Sequence, residues 1–191
     1  RKVRDLRYGE NPHQSAALYQ GFGNHPGFTV LQGKALSYTN LLDLDAAARI
    51  AAEFQEPAAV VIKHTNPCGA ATGAGVADAY VRAREVDAVA AFGGIVGLNR
   101  EIDADTARAI VSTFIEAVTA PSVDEDARAI LATKANLRVV VPAGDAGHDG
   151  VPEDIELRSI IGGVLVQVRD MVREASTSWP GADDLKVVTR R

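Results

Sequence analysis

Cysteine is nearly missing: the 191 residues hold one, Cys68. An intramolecular disulfide is thereby excluded, which fits a reducing cytoplasm. Four scattered histidines and a single thiol give neither a Cys-x-x-Cys nor a His-x-Glu pattern, so zinc chemistry of the deaminase kind lacks its ligand spacing. No apolar run approaches the roughly 20 residues of a membrane-crossing helix. There is no amino-terminal signal sequence, and because the first residue is Arg1 and not Met, the start reads as a cut in a longer chain. An excess of basic charge is also lacking. With 20 Lys and Arg against 25 Asp and Glu the formal net charge is -5, and no Lys/Arg cluster offers a field for a nucleic-acid backbone. The glycines form neither a Walker loop nor a dinucleotide fingerprint, because no Gly-x-Gly-x-x-Gly opens a helix after a strand. Internal repeats and low-complexity stretches are absent.

What is present is a composition, 47% hydrophobic and 24% charged, that can bury one sizeable core and a small second subdomain. The centre of the chain is Val60-Val61-Ile62-Lys63-His64-Thr65-Asn66-Pro67-Cys68-Gly69. A β-branched run bounded by turn formers predicts a strand buried on both faces. In open α/β sheets ligands gather beyond the carboxyl ends of strands, which puts Lys63 and His64 at the expected place for a site. Successive strand residues face opposite ways, so both can meet one substrate only if the backbone departs there, and Pro67 and Gly69 are read as that departure. Cys68, between Pro67 and Gly69, reads as a small packed residue more readily than as a nucleophile.

Residues 1–4 read as the tail of a linker, and 6–14 as a loop dense in hydrogen-bonding groups. Within that loop Arg7 can hold a phosphate or carboxylate through its planar fork, with Tyr8 as a flat wall. A strand is predicted over 28–32. Ser37 or Asn40 then caps a helix whose Leu41, Leu44, Ala48 and Ala51 recur at helical spacing, which places Asn40 at a helix amino terminus. Residues 75–85 read as a helix, and Gly93-Gly94 before an apolar strand suggests close backbone approach. Asp103 opens a helix to about 114, strands follow over 115–119 and 137–141, and 124–132 is helical. Residues 20–27 and 144–150 read as loops, the second holding a solvated His148. Residues 155–158 and 163–168 suggest a hairpin, and 187–189 a last strand. This alternation predicts an α/β fold, a layered, mainly parallel sheet covered by helices.

Spacing alone leaves Lys63-His64 open between a catalytic pair and a strand end in ordinary surface hydrogen bonds. Imidazole is suited to general base work near neutral pH, and an ammonium to charge provision or acid catalysis. Four stretches occur together and in order: Arg7-Tyr8-Gly9-Glu10-Asn11-Pro12-His13-Gln14, Leu36-Ser37-Tyr38-Thr39-Asn40, Ile62-Lys63-His64-Thr65-Asn66-Pro67-Cys68-Gly69 and Ala91-Phe92-Gly93-Gly94. In these motifs, and through to Gly162-Gly163-Val164-Leu165-Val166-Gln167, the chain resembles the transformylase part of the AICAR transformylase/IMP cyclohydrolase family.

The resemblance implies transfer of a formyl group from 10-formyltetrahydrofolate, as co-substrate, to the 5-amino group of AICAR in purine biosynthesis. It implies His64 as general base and Lys63 as its catalytic partner. By the same resemblance Arg7 and Tyr8 bind the nucleotide, Asn40 contacts substrate, Phe92 and Gly93 form a wall on the base and folate side, and Glu116 contacts the ribose. Thr39 stands where the family commonly has Asn, and Glu116 where some members have Asp. Also implied are a cytidine-deaminase-like fold without zinc, a cytoplasmic homodimer, and an assignment of residues 1–191 to the amino-terminal portion of the transformylase domain. The cyclohydrolase domain would then lie upstream and the second half of the transformylase downstream. A reading of another class is that the segment is a non-catalytic nucleotide-binding or assembly module.

Overall fold

In the computed structural model residues 1–19, 27–143 and 155–168 are described. The chain divides into two compact units, and 155–168 belongs to the second. The first unit opens with strands β1 (Lys2–Leu6) and β2 (Ala16–Tyr19), paired antiparallel as a two-stranded ribbon. Residues 1–4 are therefore largely strand and not linker. Their pattern, Arg-Lys-Val-Arg, hides this because the ribbon is exposed or half-buried throughout and buries too little apolar surface to write an alternation into the sequence.

The remaining elements of this unit are β3 (Phe28–Gln32), α1 (Tyr38–Ala52), β4 (Ala58–Lys63), β5 (Asn66–Thr72), α2 (Val76–Val86), α3 (Ala88–Ala91), β6 (Ile95–Leu98), α4 (Ala104–Val111), β7 (Ala117–Thr119), α5 (Glu125–Leu131) and β8 (Arg138–Pro142). Six strands form one sheet in the order β3-β8-β7-β6-β4-β5. Only β6-β7 and β7-β8 are parallel; β4 runs antiparallel to both β5 and β6, and β3 antiparallel to β8. The sheet is thus mixed, which corrects the expectation of a mainly parallel one. The cause is local: β4 and β5 form a tight hairpin, so the chain reverses before α2 instead of crossing over. The helix at 104–111 also stops short of 114, and strand β7 is shorter than 115–119.

Alternation along β4 sorts the core into two layers. Val60 and Ile62, with Ile95, Ala117 and Val140, pack beneath α1 through Leu44, Ala47 and Ala51. Ala59 and Val61, with Val96, Val118 and Val139, face the opposite layer of Ala79, Tyr80, Ala83, Ala107, Ile110 and Leu131 from α2, α4 and α5. All five residues Ala58 to Ile62 have zero exposure, as a strand covered on both faces requires. Full burial of one Val or Ile side chain contributes about 1.5–3 kcal/mol, so β4 is a firm base for the turn at its carboxyl end. Helix α1 can lie close because β6 has Gly97 beneath it: a Cβ there would fall 2.3 Å from the Ala47 carbonyl oxygen.

In the second unit β9 (Ile155–Ile160) and β10 (Gly163–Val168) form the antiparallel hairpin the sequence suggests, closed by Ile161 and Gly162. The expected loops at 20–27, apart from Gly27, and 144–150, with His148, and the strand at 187–189 lie outside the described residues.

Candidate active site

Because β4 is antiparallel to its neighbour β6, its carboxyl end lies beside the amino ends of β6, β7 and β8. The register runs Ile62↔Ile95, Ile95↔Ala117, Ala117↔Arg138. One rim of the sheet therefore collects Lys63 and His64, Phe92 to Gly94 before β6, Glu116 before β7, and Arg138 at the start of β8. The rim is tied by backbone bonds, Glu116 N–H to Gly94 O at 3.0 Å, Gly93 N–H to Phe114 O at 2.9 Å and Arg138 N–H to Glu116 O at 3.1 Å. Relative to the parallel strands this is the amino side, the reverse of the usual placement in doubly wound sheets.

The hairpin turn sits two residues earlier than Pro67 and Gly69 suggest. Lys63 pairs with Asn66, leaving His64 and Thr65 as a two-residue loop. Both adopt left-handed backbone, φ 53° and 60°, as a two-residue hairpin connection of the primed type demands. Pro67 and Gly69 lie inside edge strand β5, where Gly69 lets α2 approach: a Cβ there would fall 2.1 Å from the Ala83 carbonyl oxygen. The chain leaves its strand geometry at His64 itself, so Lys63 and His64 are freed from opposite-face alternation. His64 is exposed, and its imidazole has no hydrogen-bond partner among the described residues. Lys63 donates from Nζ to the Phe92 carbonyl at 3.0 Å. Thr65 N–H donates to Asp43 Oδ1 at 2.6 Å.

On the same rim, Asn40 is the third residue of α1 and completes a capping box with Ser37. Its Oδ1 accepts from Ser37 N–H at 3.2 Å, and its Nδ2 donates to Glu116 Oε2 at 3.2 Å. Arg138 lies 3.7 Å from the same carboxylate and donates from Nε to Ala35 O at 3.1 Å. Asn40 and Glu116, named separately by the resemblance, are thus in contact. Beside them lies a cleft of about 780 Å³ whose lining includes Lys34, Phe92, Phe114, Glu116, Lys134 and Arg138. Three cations against one carboxylate make it electropositive, suited to an anionic ligand. Phe92 and Phe114, both more than half exposed, meet with ring centroids 5.1 Å apart and offer an aromatic wall. Gly93, at φ +72°, gives the wall its bend.

Sequence reasoning did not find Asp43, Lys34, Lys134, Phe114 or Arg138. Asp43 carried a signal, a carboxylate three residues after Asn40 and so on the same helix face. The cleft cations carried none, since each is isolated in sequence. Arg7 and Tyr8 lie between β1 and β2, with the guanidinium carbon 5.5 Å from the phenol ring centroid; neither hydrogen-bonds to a cleft residue among the described residues. Cys68 packs against the core, and burial pushes its thiol up from the ordinary value, with the charge of Lys63 pulling the other way. Among the described residues no group of three or more His, Cys, Asp or Glu side chains could hold a metal ion, and no helix is long and apolar enough to cross a membrane.

Comparison with known proteins bears on the same residues. The family model of the AICARFT/IMPCHase bienzyme matches residues 1–191. The bifunctional purine biosynthesis protein PurH of Myxococcus xanthus is 50% identical over 198 residues, covering 100% of this chain and 37% of that protein. PurH of a Cyanothece species is 50% identical over 183 residues, 93% of this chain and 35% of its own length. PurH of Rhodospirillum rubrum is 50% identical over 189 residues, 97% and 34% respectively. The chain spans about a third of the length of these relatives. With the family model matched from the first residue to the last, and three of the four motifs set on one sheet rim, the chain belongs to the AICARFT/IMPCHase bienzyme family.

Proposed function

We propose that this chain supplies one part of a formyltransferase site that moves a formyl group from 10-formyltetrahydrofolate to the 5-amino group of AICAR. The longer protein would be bifunctional, with IMP cyclohydrolase activity, and a cytoplasmic homodimer. The observation that carries the reading is the Lys63-His64 hairpin tip on the rim that also holds a basic, aromatic-walled cleft.

The amine of AICAR is deactivated by its neighbouring carboxamide, so attack on the formyl carbon needs a base to take the amine proton as the new C–N bond forms. An exposed imidazole at a rigid hairpin tip can do this near neutral pH. The tetrahedral intermediate bears an oxyanion and then expels the folate nitrogen. Lys63, whose ammonium rests on the Phe92 carbonyl and has no ion-pair partner among the described residues, can stabilise that charge and protonate the leaving nitrogen. Lys34, Lys134 and Arg138 suit the nucleotide phosphate, Glu116 the ribose hydroxyls, and the Phe92 wall a flat ring; Arg7 and Tyr8 are further nucleotide contacts in this reading. The step needs neither a metal nor a covalent enzyme intermediate.

The test is His64→Ala in the full-length protein. Turnover should fall roughly a hundredfold or more, the scale of a lost general base, with a much smaller change in AICAR affinity. Lys63→Arg should also be impaired, because guanidinium keeps the charge but cannot give up a proton at accessible pH. Near-normal formyl transfer by His64→Ala would overturn the assignment. A full-length protein that binds AICAR but transfers no formyl group would favour the binding-module reading.

A further inference from the structure

Of the groups outside the roles assigned above, Asp43 is the best supported by geometry. It is one of only four polar side chains among the described residues that are buried, the others being Asn40, Thr106 and Thr119, and it is 8% exposed. Burying a carboxylate is costly, so its position calls for a partner and a reason. The partner is the Thr65 amide at 2.6 Å. Thr65 itself is exposed, so its N–H could have been left to water; a carboxylate from another element takes it instead.

The reason lies in the turn. A β-branched residue at φ 60° is a genuine outlier, and such backbone persists only where surrounding structure holds it. Within the turn the remaining bonds are local: Thr65 Oγ1 and Asn66 Nδ2 each donate to the His64 carbonyl at 2.7 Å. Among the described residues, and outside the β4-β5 ladder itself, the bond to Asp43 is the only one from His64, Thr65 or Asn66 to another element. The opposite end of that bond is fixed as well, because the first turn of α1 is locked by its capping box and Asn40 reaches Glu116. One rigid helical turn thus holds the hairpin tip through Asp43 and the cleft acid through Asn40.

We infer that Asp43 is a positioning residue for the Lys63-His64 pair, acting through the Thr65 amide to aim the His64 side chain; this rests on the function proposed above. Its contribution is the direction of His64 relative to the cleft, not contact with substrate.

The test uses the full-length protein with Asp43→Ala and Asp43→Asn, the second keeping an oxygen acceptor at the same place. Asp43→Ala should lower kcat roughly a hundredfold, the scale of an ångström-sized misplacement, while the KM for AICAR stays near that of the parent. Asp43→Asn should recover most of kcat. Amide hydrogen exchange gives a readout independent of chemistry: the Thr65 amide should be protected in the parent and in Asp43→Asn, and unprotected in Asp43→Ala, with β4 protection retained. Parent-like kcat in folded Asp43→Ala, an unprotected Thr65 amide in the parent, or Asn no better than Ala would each overturn the inference. If Asp43→Ala does not fold, Asp43→Asn decides through its kcat and its Thr65 protection. Failure of the two readings is separable. An inactive His64→Ala beside a fully active Asp43→Ala sinks the positioning role alone, whereas an active His64→Ala sinks the function and leaves the exchange measurement to judge the turn.

Discussion

Two hairpins of this chain turn on two residues each, and their chemistry differs. In β9-β10 the loop is Ile161-Gly162, the positive φ of 81° falls on glycine, and a Cβ at Gly162 would meet nothing within 4 Å. In β4-β5 the loop is His64-Thr65, both non-glycine and both left-handed, on a hairpin whose first strand is buried from Ala58 to Ile62. The exposed hairpin uses the residue for which the conformation is easy. The buried one places an imidazole and a β-branched residue where glycine would be easier, and secures them with a carboxylate from α1. A strained conformation held by outside contacts suggests function, because the side chain it carries is what glycine lacks.

The comparison can be broken most sharply at the glycines of the return strands. Gly69→Ala in β5 would drive a Cβ into the Ala83 carbonyl and to 2.9 Å from Val86 Cβ. A loss of about 3 kcal/mol is expected, the upper end for forcing atoms into a packed site. Gly163→Ala in β10 meets only Ile160 Cγ1, at 4.0 Å, and should shift stability by less than about 1 kcal/mol, in the favourable direction. Equal losses in chemical unfolding would mean the two hairpins are equally packed.

Next in size is Gly162→Ala, where a left-handed alanine costs about 1 kcal/mol. The loss should appear as faster exchange of β9 and β10 amides, with Asn at the same position less harmful than Ala. Unchanged exchange would show that the turn does not need its glycine.

The smallest effect concerns Cys68 on the buried hairpin. Burial raises its thiol above the ordinary 9.0, so below pH 9 the thiol is protonated whether the chain is folded or not and stability is unaffected by it. As pH rises past 9.0 the unfolded thiol ionises first, and stability falls with pH until the raised folded value is passed. Replacement by Ala should flatten the stability curve above pH 9 and leave formyl transfer near normal. A fall in turnover to background would instead make Cys68 a participant.

Much of this was legible in the sequence where side-chain pattern and backbone agree. The β-branched run before Lys63 became the buried part of a strand, Ser37 and Asn40 marked a real helix start, and Gly93-Gly94 marked a close approach. The mixed sheet was not legible, because the hairpin that causes it lacks an Asn-Gly or Asp-Gly signal. Its left-handed pair depends on Asp43, twenty-two residues away, while Pro67 and Gly69 supply a misleading turn signal inside a strand. The resemblance pointed to Glu116 and Phe92 but not to the cleft they line, since Lys34, Lys134 and Arg138 converge only after β8 has joined β7.

Among the described residues strand β3 pairs only with β8, Phe28 opposite Pro142, and Gln32 clasps the turn before β8 by donating to Leu131 O at 3.0 Å and Leu137 O at 3.2 Å. During synthesis these partners are made about a hundred residues after β3, a delay on the order of ten seconds at ribosomal rates. Helix α1 and the β4-β5 hairpin can form from neighbours in the meantime, but the edge strand must wait with its ladder to β8 unmade. A nascent chain halted before Leu137 would therefore carry a nearly complete hairpin tip beside a strand with no mate, and that interval is when it is most open to capture by a chaperone or by another chain.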